Sequence, residues 1–383
     1  MMRSDTGQQG ENEANEAHIE WVPILILPNL DMTTTLESQY ATIVPPTDRR
    51  VQELCADHPN LAKLLWKFLG QFGERVRPSL LLMRSDTPNS YYNTEGITAF
   101  RDILSLSVVP YARATRLCVG RSAASIYTNA FQFYPWMVDR NTDEVISSNS
   151  AQLHIHELVK FFGQSFPEQP RVSITRSDID QPLVAELLNR WFVRFASGTP
   201  EWKDRALFRS LNMANEAARI PASTATVFYD VGRSLALWVS AYEILVHPGG
   251  KGRSGSAAVC AMLERVKWHR KKLTESTYVI GRKSEKKPLA TWICKRIYDL
   301  RNDFLHGNEV RPSDLTLNNQ PIIDFAGCLY RLVLTAFLDI EVHPPLEDAD
   351  SDSQYFRSRM GVHRFQLRYE DALLKAIASR FSP

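Results

Sequence analysis

The sequence predicts an α+β protein: a mixed α/β N-terminal part followed by an all-α helical bundle. Two observations predict it. The first half mixes short, Pro-punctuated apolar runs with a few helical patterns, whereas the second half repeats apolar residues at helical spacing almost without interruption. Between them the segment SFPEQPRVSI (Ser165 to Ile174) carries two prolines and little periodicity, which sets a boundary near residue 170.

Residues 1–18 are rich in Gln, Glu, Asn and Gly with no recurring apolar position, and read as a disordered tail. The run WVPILILPNL (Trp21 to Leu30) has strand character. NLAKLLWKFLGQF (Asn60 to Phe72) is an amphipathic helix, and Thr94 to Ala114 combines a helical pattern with an extended VVPYA. Thr128 to Pro135 is short and aromatic, more strand than helix. Residues 19–170 therefore form a mixed part suited to sensing or targeting, and no internal repeat appears.

In the second half, Leu183, Leu187, Leu188, Trp191, Phe192 and Phe195 define a helix over Pro182–Ala196, and Trp202–Ala218 repeats the pattern. Asp230 to Val246 is apolar almost all round, which predicts a central position in the bundle. A Gly-rich basic loop (Gly249 to Ser256) and a helix over Ala257–Leu273 follow. Pro288–His306 and Pro321–Ile340 each begin on a proline, which favours a first helical turn. The bundle is expected over 171–340. Residues 341–383 add an acidic linker (Glu347 to Asp352) and a basic tail with a short helix around Tyr369 to Phe381.

Composition narrows the function. No apolar run approaches the ~18 residues of a membrane span. The first 17 residues lack the apolar stretch of a signal peptide, so a cytoplasmic place is expected. Five cysteines (Cys55, Cys118, Cys260, Cys294, Cys328) are odd in number, far apart and free of C-x-x-C, which argues against disulfides and structural zinc. His154 and His156 form an H-x-H with no further ligands in the sequence nearby. GGKGRSG (Gly249 to Gly255) lacks the strand before it and the Lys-Ser/Thr ending of a phosphate-binding loop. Charge is uneven: His247 to Arg301 holds 14 Lys/Arg and 4 Asp/Glu, a local +10 in a chain of net +2. Such a segment suits a polyanion, or is simply a solvated face. Its candidate RNA contacts are Lys251, Arg253, Arg270, Lys271, Lys272 and Lys295.

The chemistry concentrates in Tyr298-Asp299-Leu300-Arg301-Asn302-Asp303-Phe304-Leu305-His306-Gly307, a polar cluster closing an apolar helix, with Gly307 placed as a left-handed cap. Asn302 and His306 share a face at four-residue spacing. Arg301 supplies a planar cation for phosphate oxygens, and His306 a group able to move a proton near neutral pH. The same pair would also serve as a simple C-terminal cap. Asp303 is a lone carboxylate, unfit for a two-metal site, and no metal or other cofactor is expected.

These residues resemble the HEPN family. Arg301-x4-His306 is similar to its R-x(4–6)-H signature, and Arg301-Asn302 with His306-Gly307 resembles the RN…HG form of the Apea-like branch. LALWVSAYEIL (Leu235 to Leu245) resembles that branch's apolar helix bearing one Glu. The resemblance spans roughly 185–340. It implies a metal-independent endoribonuclease forming 2′,3′-cyclic phosphate, in antiviral defence or as a growth-arresting toxin. Arg301 would hold the scissile phosphate, His306 would act as base or acid, and Asn302 would position both. Glu243 would pair with Arg301 or His306, and a homodimer would form the cleft. Asn308 stands where a tyrosine-modified toxin form would have Tyr, which argues against a nucleotidyltransferase partner. The alternative is a non-catalytic HEPN module binding nucleotide or protein partners.

Overall fold

The computed structural model describes residues 20–69, 73–120, 125–133, 136–138, 145–147, 172–196, 199–219, 227–280, 285–341 and 354–377. The expected tail (1–18), most of the boundary segment, the acidic linker, His154 and His156 lie outside these residues. The architecture is α+β.

The chain begins with β1 (Trp21–Leu27), β2 (Leu30–Met32), β3 (Leu36–Glu37) and β4 (Ala41–Val44). Then come α1 (Arg49–Asp57), α2 (Pro59–Leu65), β5 (Ser79–Arg84) and α3 (Thr94–Val119). Strands β1, β5, β4 and β3 form an antiparallel sheet in that order, with Leu27 opposite Ser79 and Val44 opposite Leu80. Central strand β5 is buried from Ser79 to Met83, so both of its faces are covered. On one face of the sheet Leu80 and Leu82 pack with Val51 of α1, and Ile26 with Leu61, Leu64 and Phe68; on the other, Leu81 and Met83 join the main core.

After β6 (Trp136–Val138), β7 (Val145–Ser147) and β8 (Val172–Ile174), the helices take over. They are α4 (Gln181–Ala196), α5 (Trp202–Ala217), α6 (Val227–Val246), α7 (Ser256–Glu264) and α8 (Lys271–Thr274). A hairpin of β9 (Tyr278–Ile280) and β10 (Glu285–Lys287) leads into α9 (Leu289–His306). A second, of β11 (Thr316–Leu317) and β12 (Gln320–Pro321), leads into α10 (Ile322–Phe337); α11 (Gln354–Leu374) follows.

Several expectations are corrected by packing. Thr94 to Val119 is one continuous helix, not a helix followed by an extended VVPYA. Pro110 removes one helical hydrogen bond, a cost of about 3 kcal/mol in an ordinary helix interior. Here the helix is enclosed by α4, α5, α10 and α11, and Val108 and Val109 are fully buried, which outweighs that cost. Thr128–Phe131 is a 3₁₀ turn instead of a strand: the Thr128 hydroxyl donates to the Asn215 carbonyl at 2.7 Å and its N–H to Ala218. The helix expected over Ala257–Leu273 splits into α7 and α8. The reason is Glu370 on α11, a fully buried carboxylate that accepts the backbone N–H groups of His269 (3.1 Å) and Arg270 (2.7 Å). Those donors, left orphaned at the start of α8, are what a helix N-terminus presents to an anion. The helix expected over Asn60–Phe72 is shorter and preceded by α1, and the tail helix begins at Gln354 rather than near Tyr369.

The central helix is α10, not the more uniformly apolar α6. From Ile322 to Ala336 only Ile323 escapes full burial, and α10 touches α3, α6, α7, α9 and α11. Its two charged side chains hid this, because each is matched by an ion pair. Asp324 accepts from Arg113 of α3 at 2.9 Å. Arg331 pairs with Asp180 through both nitrogens, Nε to Oδ2 at 2.7 Å and Nη2 to Oδ1 at 3.1 Å, and Tyr369 of α11 donates to the same carboxylate at 3.1 Å. Asp180 also caps α4, accepting from the Leu183 N–H. Helix α3, from the N-terminal side of the expected boundary, thus packs with helices of the other side around one apolar core.

Candidate active site at the end of helix α9

Helix α9 buries Leu289, Ile293, Ile297 and Leu300 at three- and four-residue spacing, which leaves its last turn as the polar end. Gly307 closes it at φ 72°, as expected of a left-handed cap, and its N–H donates to the Asp303 carbonyl. The Asn308 N–H joins the same carbonyl, while its side-chain amide donates to Asp303 Oδ1 at 2.9 Å. Asp303 is therefore occupied in shaping the turn.

Arg301 is half-buried and donates from Nη1 to Asn302 Oδ1 at 2.9 Å. Its Nε is buried without a hydrogen-bond partner, and no carboxylate among the described residues lies within ion-pair distance. Arg50, Arg84, Arg113, Arg270 and Arg331 each hold an acid, whereas the half-buried Arg296 and Arg368, like Arg301, have no ion pair among the described residues. His306 is exposed and makes no hydrogen bond among the described residues. Asn302 thus holds Arg301 directly; among the described residues no hydrogen bond joins it to His306.

Glu243 does not pair with Arg301 or His306. It lies on α6 beside Tyr298, one turn earlier on α9. Burial, and then the Glu243 carboxylate, hold the phenol far above its ordinary value. The Tyr298 oxygen is itself buried without a well-aligned partner. An apolar side chain fixes the end of α9 against α6. Phe304 packs tilted against Phe228 with ring centroids 5.2 Å apart and presses onto Gly232, where an added Cβ would fall 2.6 Å from the Phe304 ring. The sequence named Tyr298 and Phe304 within the cluster but gave neither a role; the Gly interrupting an apolar helix at 232 was the available signal. Gly232→Ala is expected to lower stability by ~1–3 kcal/mol through overpacking and to shift the last turn of α9. Urea unfolding checks the first, and hydrogen exchange at Asp303–Gly307 the second; a neutral substitution would show that this contact is loose.

Of the candidate RNA contacts, Lys251, Arg253, Lys271 and Lys272 are exposed. Arg270 is held by Asp371 at 2.9 and 3.2 Å, and Lys295 is paired with Asp299. None of the six is bonded to Arg301 or His306, and Lys295 sits about 9 Å back along the helix from Arg301. The five cysteines are free thiols. Among the described residues, no group of three or more His, Cys, Asp or Glu is placed to hold a metal, and no helix is long and apolar enough to cross a membrane. Trp238 is core, packed on Tyr242 and Tyr330, and Trp292 packs on Tyr278, as their spacing suggests.

No protein-family model, curated protein or solved structure matches the chain.

Proposed function

We propose that the chain is a HEPN-type, metal-independent RNA endonuclease acting in the cytoplasm, in antiviral defence or growth arrest, with Arg301 and His306 as its reacting groups. One observation carries the reading. A single helix end presents an arginine with no counter-carboxylate and a solvent-open histidine with no hydrogen-bond partner among the described residues. An arginine meant for a phosphate leaves its charge available, and the buried, unpartnered Nε of Arg301 fits that role.

The proposed chemistry follows from the groups. His306 takes the proton from an RNA 2′-hydroxyl as its oxygen attacks the adjacent phosphorus. Arg301, steadied by Asn302, stabilises the charge growing on the phosphoryl oxygens. The 5′-oxygen leaves with a proton, for which a second His306 across a two-fold axis is the donor. Leu305, 56% exposed, and Tyr229, 73% exposed, supply apolar surface for that homodimer; they neighbour in sequence the touching pair Phe304 and Phe228. Lys251, Arg253, Lys271 and Lys272 raise the local RNA concentration, an effect that weakens with salt.

The test is product chemistry. Purified protein is expected to cut RNA equally well with excess EDTA, leaving 2′,3′-cyclic phosphate and 5′-hydroxyl ends, because base and cation are side chains. Chelator-sensitive cutting, or 5′-phosphate ends, would assign the chemistry to metal-bound water.

A further inference from the structure

A cavity lies away from Arg301 and His306, under the first turns of α6, where α3, α5, α6 and α10 meet. Its volume of about 580 Å³ falls in the range of small-molecule pockets. The inner wall is apolar: Val109 and Pro110 of α3, Leu237 and Trp238 of α6, Ile323 of α10. A second cavity of about 370 Å³ shares Glu216 and Arg219 with it and is lined by polar groups, among them Arg101, Gln132 and Asn215.

Four arginines line the pair of cavities, Arg101, Arg113, Arg219 and Arg233, against two lining carboxylates, Glu216 and Asp230. Arg113 and Arg101 are held from behind, by the buried Asp324 at 2.9 Å and Asp102 at 2.7 Å, which do not line the space. The Arg113 guanidinium carbon also lies over the Tyr127 ring, 4.2 Å from its centroid. Arg219 and Arg233 are more exposed and, among the described residues, bond to acids three residues away on their own chain segments, Glu216 and Asp230. The Arg219–Glu216 pair is exposed at both partners and contributes little, so that guanidinium changes partner at low cost, whereas the exposed Arg233 guanidinium reaches out from a buried carboxylate.

We propose that this cavity binds a small organic anion with an apolar ring body, the ring against Trp238 and Leu237 and the acid group between Arg219 and Arg233. Occupancy is felt at the end of α9. The two turns of α6 that line the cavity with Asp230, Val231, Arg233 and Ser234 hold Phe304 through Phe228 and Gly232 on another face. The regulatory half of this proposal rests on reading that end as the working site; the binding half does not.

The probe is 8-anilinonaphthalene-1-sulfonate, a ring-bearing anion that fluoresces in apolar surroundings, with N-phenyl-1-naphthylamine as its uncharged counterpart. The folded protein is expected to bind the sulfonate at one saturable site and the uncharged dye at least tenfold more weakly. Leu237→Trp fills the chamber and is expected to abolish binding. Arg219→Gln and Arg233→Gln, both at the mouth, are expected to weaken the sulfonate about tenfold each and leave the uncharged dye unchanged. Unaltered sulfonate binding in Leu237→Trp, or in both arginine variants, overturns the assignment, as does equal affinity for the two dyes. Hydrogen exchange tests the coupling without RNA: the bound sulfonate is expected to slow exchange in α6 and also at Asp303–Gly307. Protection that stops within α6 overturns the regulatory half, whatever the cleavage assays show.

Discussion

His306→Ala is expected to slow RNA cleavage by ~10²–10⁴-fold, the range of a lost general acid or base, and Arg301→Ala by ~10²–10³-fold. Neither loss should come from unfolding. His306 is exposed and bonded to nothing described, and Arg301 gives up one side-chain hydrogen bond, to Asn302. A helix-end side chain contributes ~0.5–2 kcal/mol at most, a fraction of an ordinary domain's stability. Arg301→Lys sharpens the test: it keeps the charge but loses the planar fork, so activity should stay well below wild type. The measurement is a single-turnover rate on a defined RNA, with a melting curve for each variant. Full activity in either alanine variant removes the catalytic assignment. Inactivity accompanied by collapse of the melting transition would make the pair a structural cap and favour the non-catalytic module.

The second large effect is on stability. Arg331→Met is expected to cost about 3–5 kcal/mol, since it strands the Asp180 carboxylate in the core. Asp180 is entirely buried and Arg331 is 2% exposed, and together they join α10 to the start of α4 and, through Tyr369, to α11. Adding Asp180→Asn to Arg331→Met removes the stranded charge and is expected to restore part of the loss, although the α4 cap weakens. Urea unfolding of both single variants and the double variant gives the coupling energy. A loss below ~1 kcal/mol in Arg331→Met would mean that water reaches the pair.

What the sequence made legible is what period and chain-end chemistry encode. The helical second half, the strand at Trp21, the end of α6 at Val246, the bounds of α9 and the Gly307 cap all follow from local residues, whereas α6 starts three residues before the expected Asp230. Hidden were features set by partners far along the chain. Val108–Pro110 looks extended until its burial among four helices is counted. Asp324 and Arg331 make α10 look less central than α6 until Arg113 and Asp180 are found. Lys267–Lys272 continues a helical pattern, yet Glu370 about a hundred residues later interrupts it. At the candidate site, Arg301, Asn302, Asp303 and His306 are adjacent by sequence and so were readable. Glu243 facing Tyr298 was not, because rotation of α6 against α9 is fixed by Phe304 meeting Gly232.

The parallel ladder of β2 and β8 has a consequence for how the molecule is made. Leu30, Asp31 and Met32 pair with Val172, Ser173 and Ile174, and Asp31 reaches Ser173 across a separation of 142 residues. Parallel strands require a long crossover, and contacts this remote in sequence form late. At ~5–20 residues per second, a ribosome needs about 7–28 s to deliver β8 after β2 has emerged. During that interval the hydrogen-bonding edge of β2 has no partner from its own chain, and the Asn29 carbonyl awaits the Val172 N–H. The nascent chain is thus most exposed to chaperones, and to pairing with neighbouring nascent copies, in the seconds before Ile174 emerges.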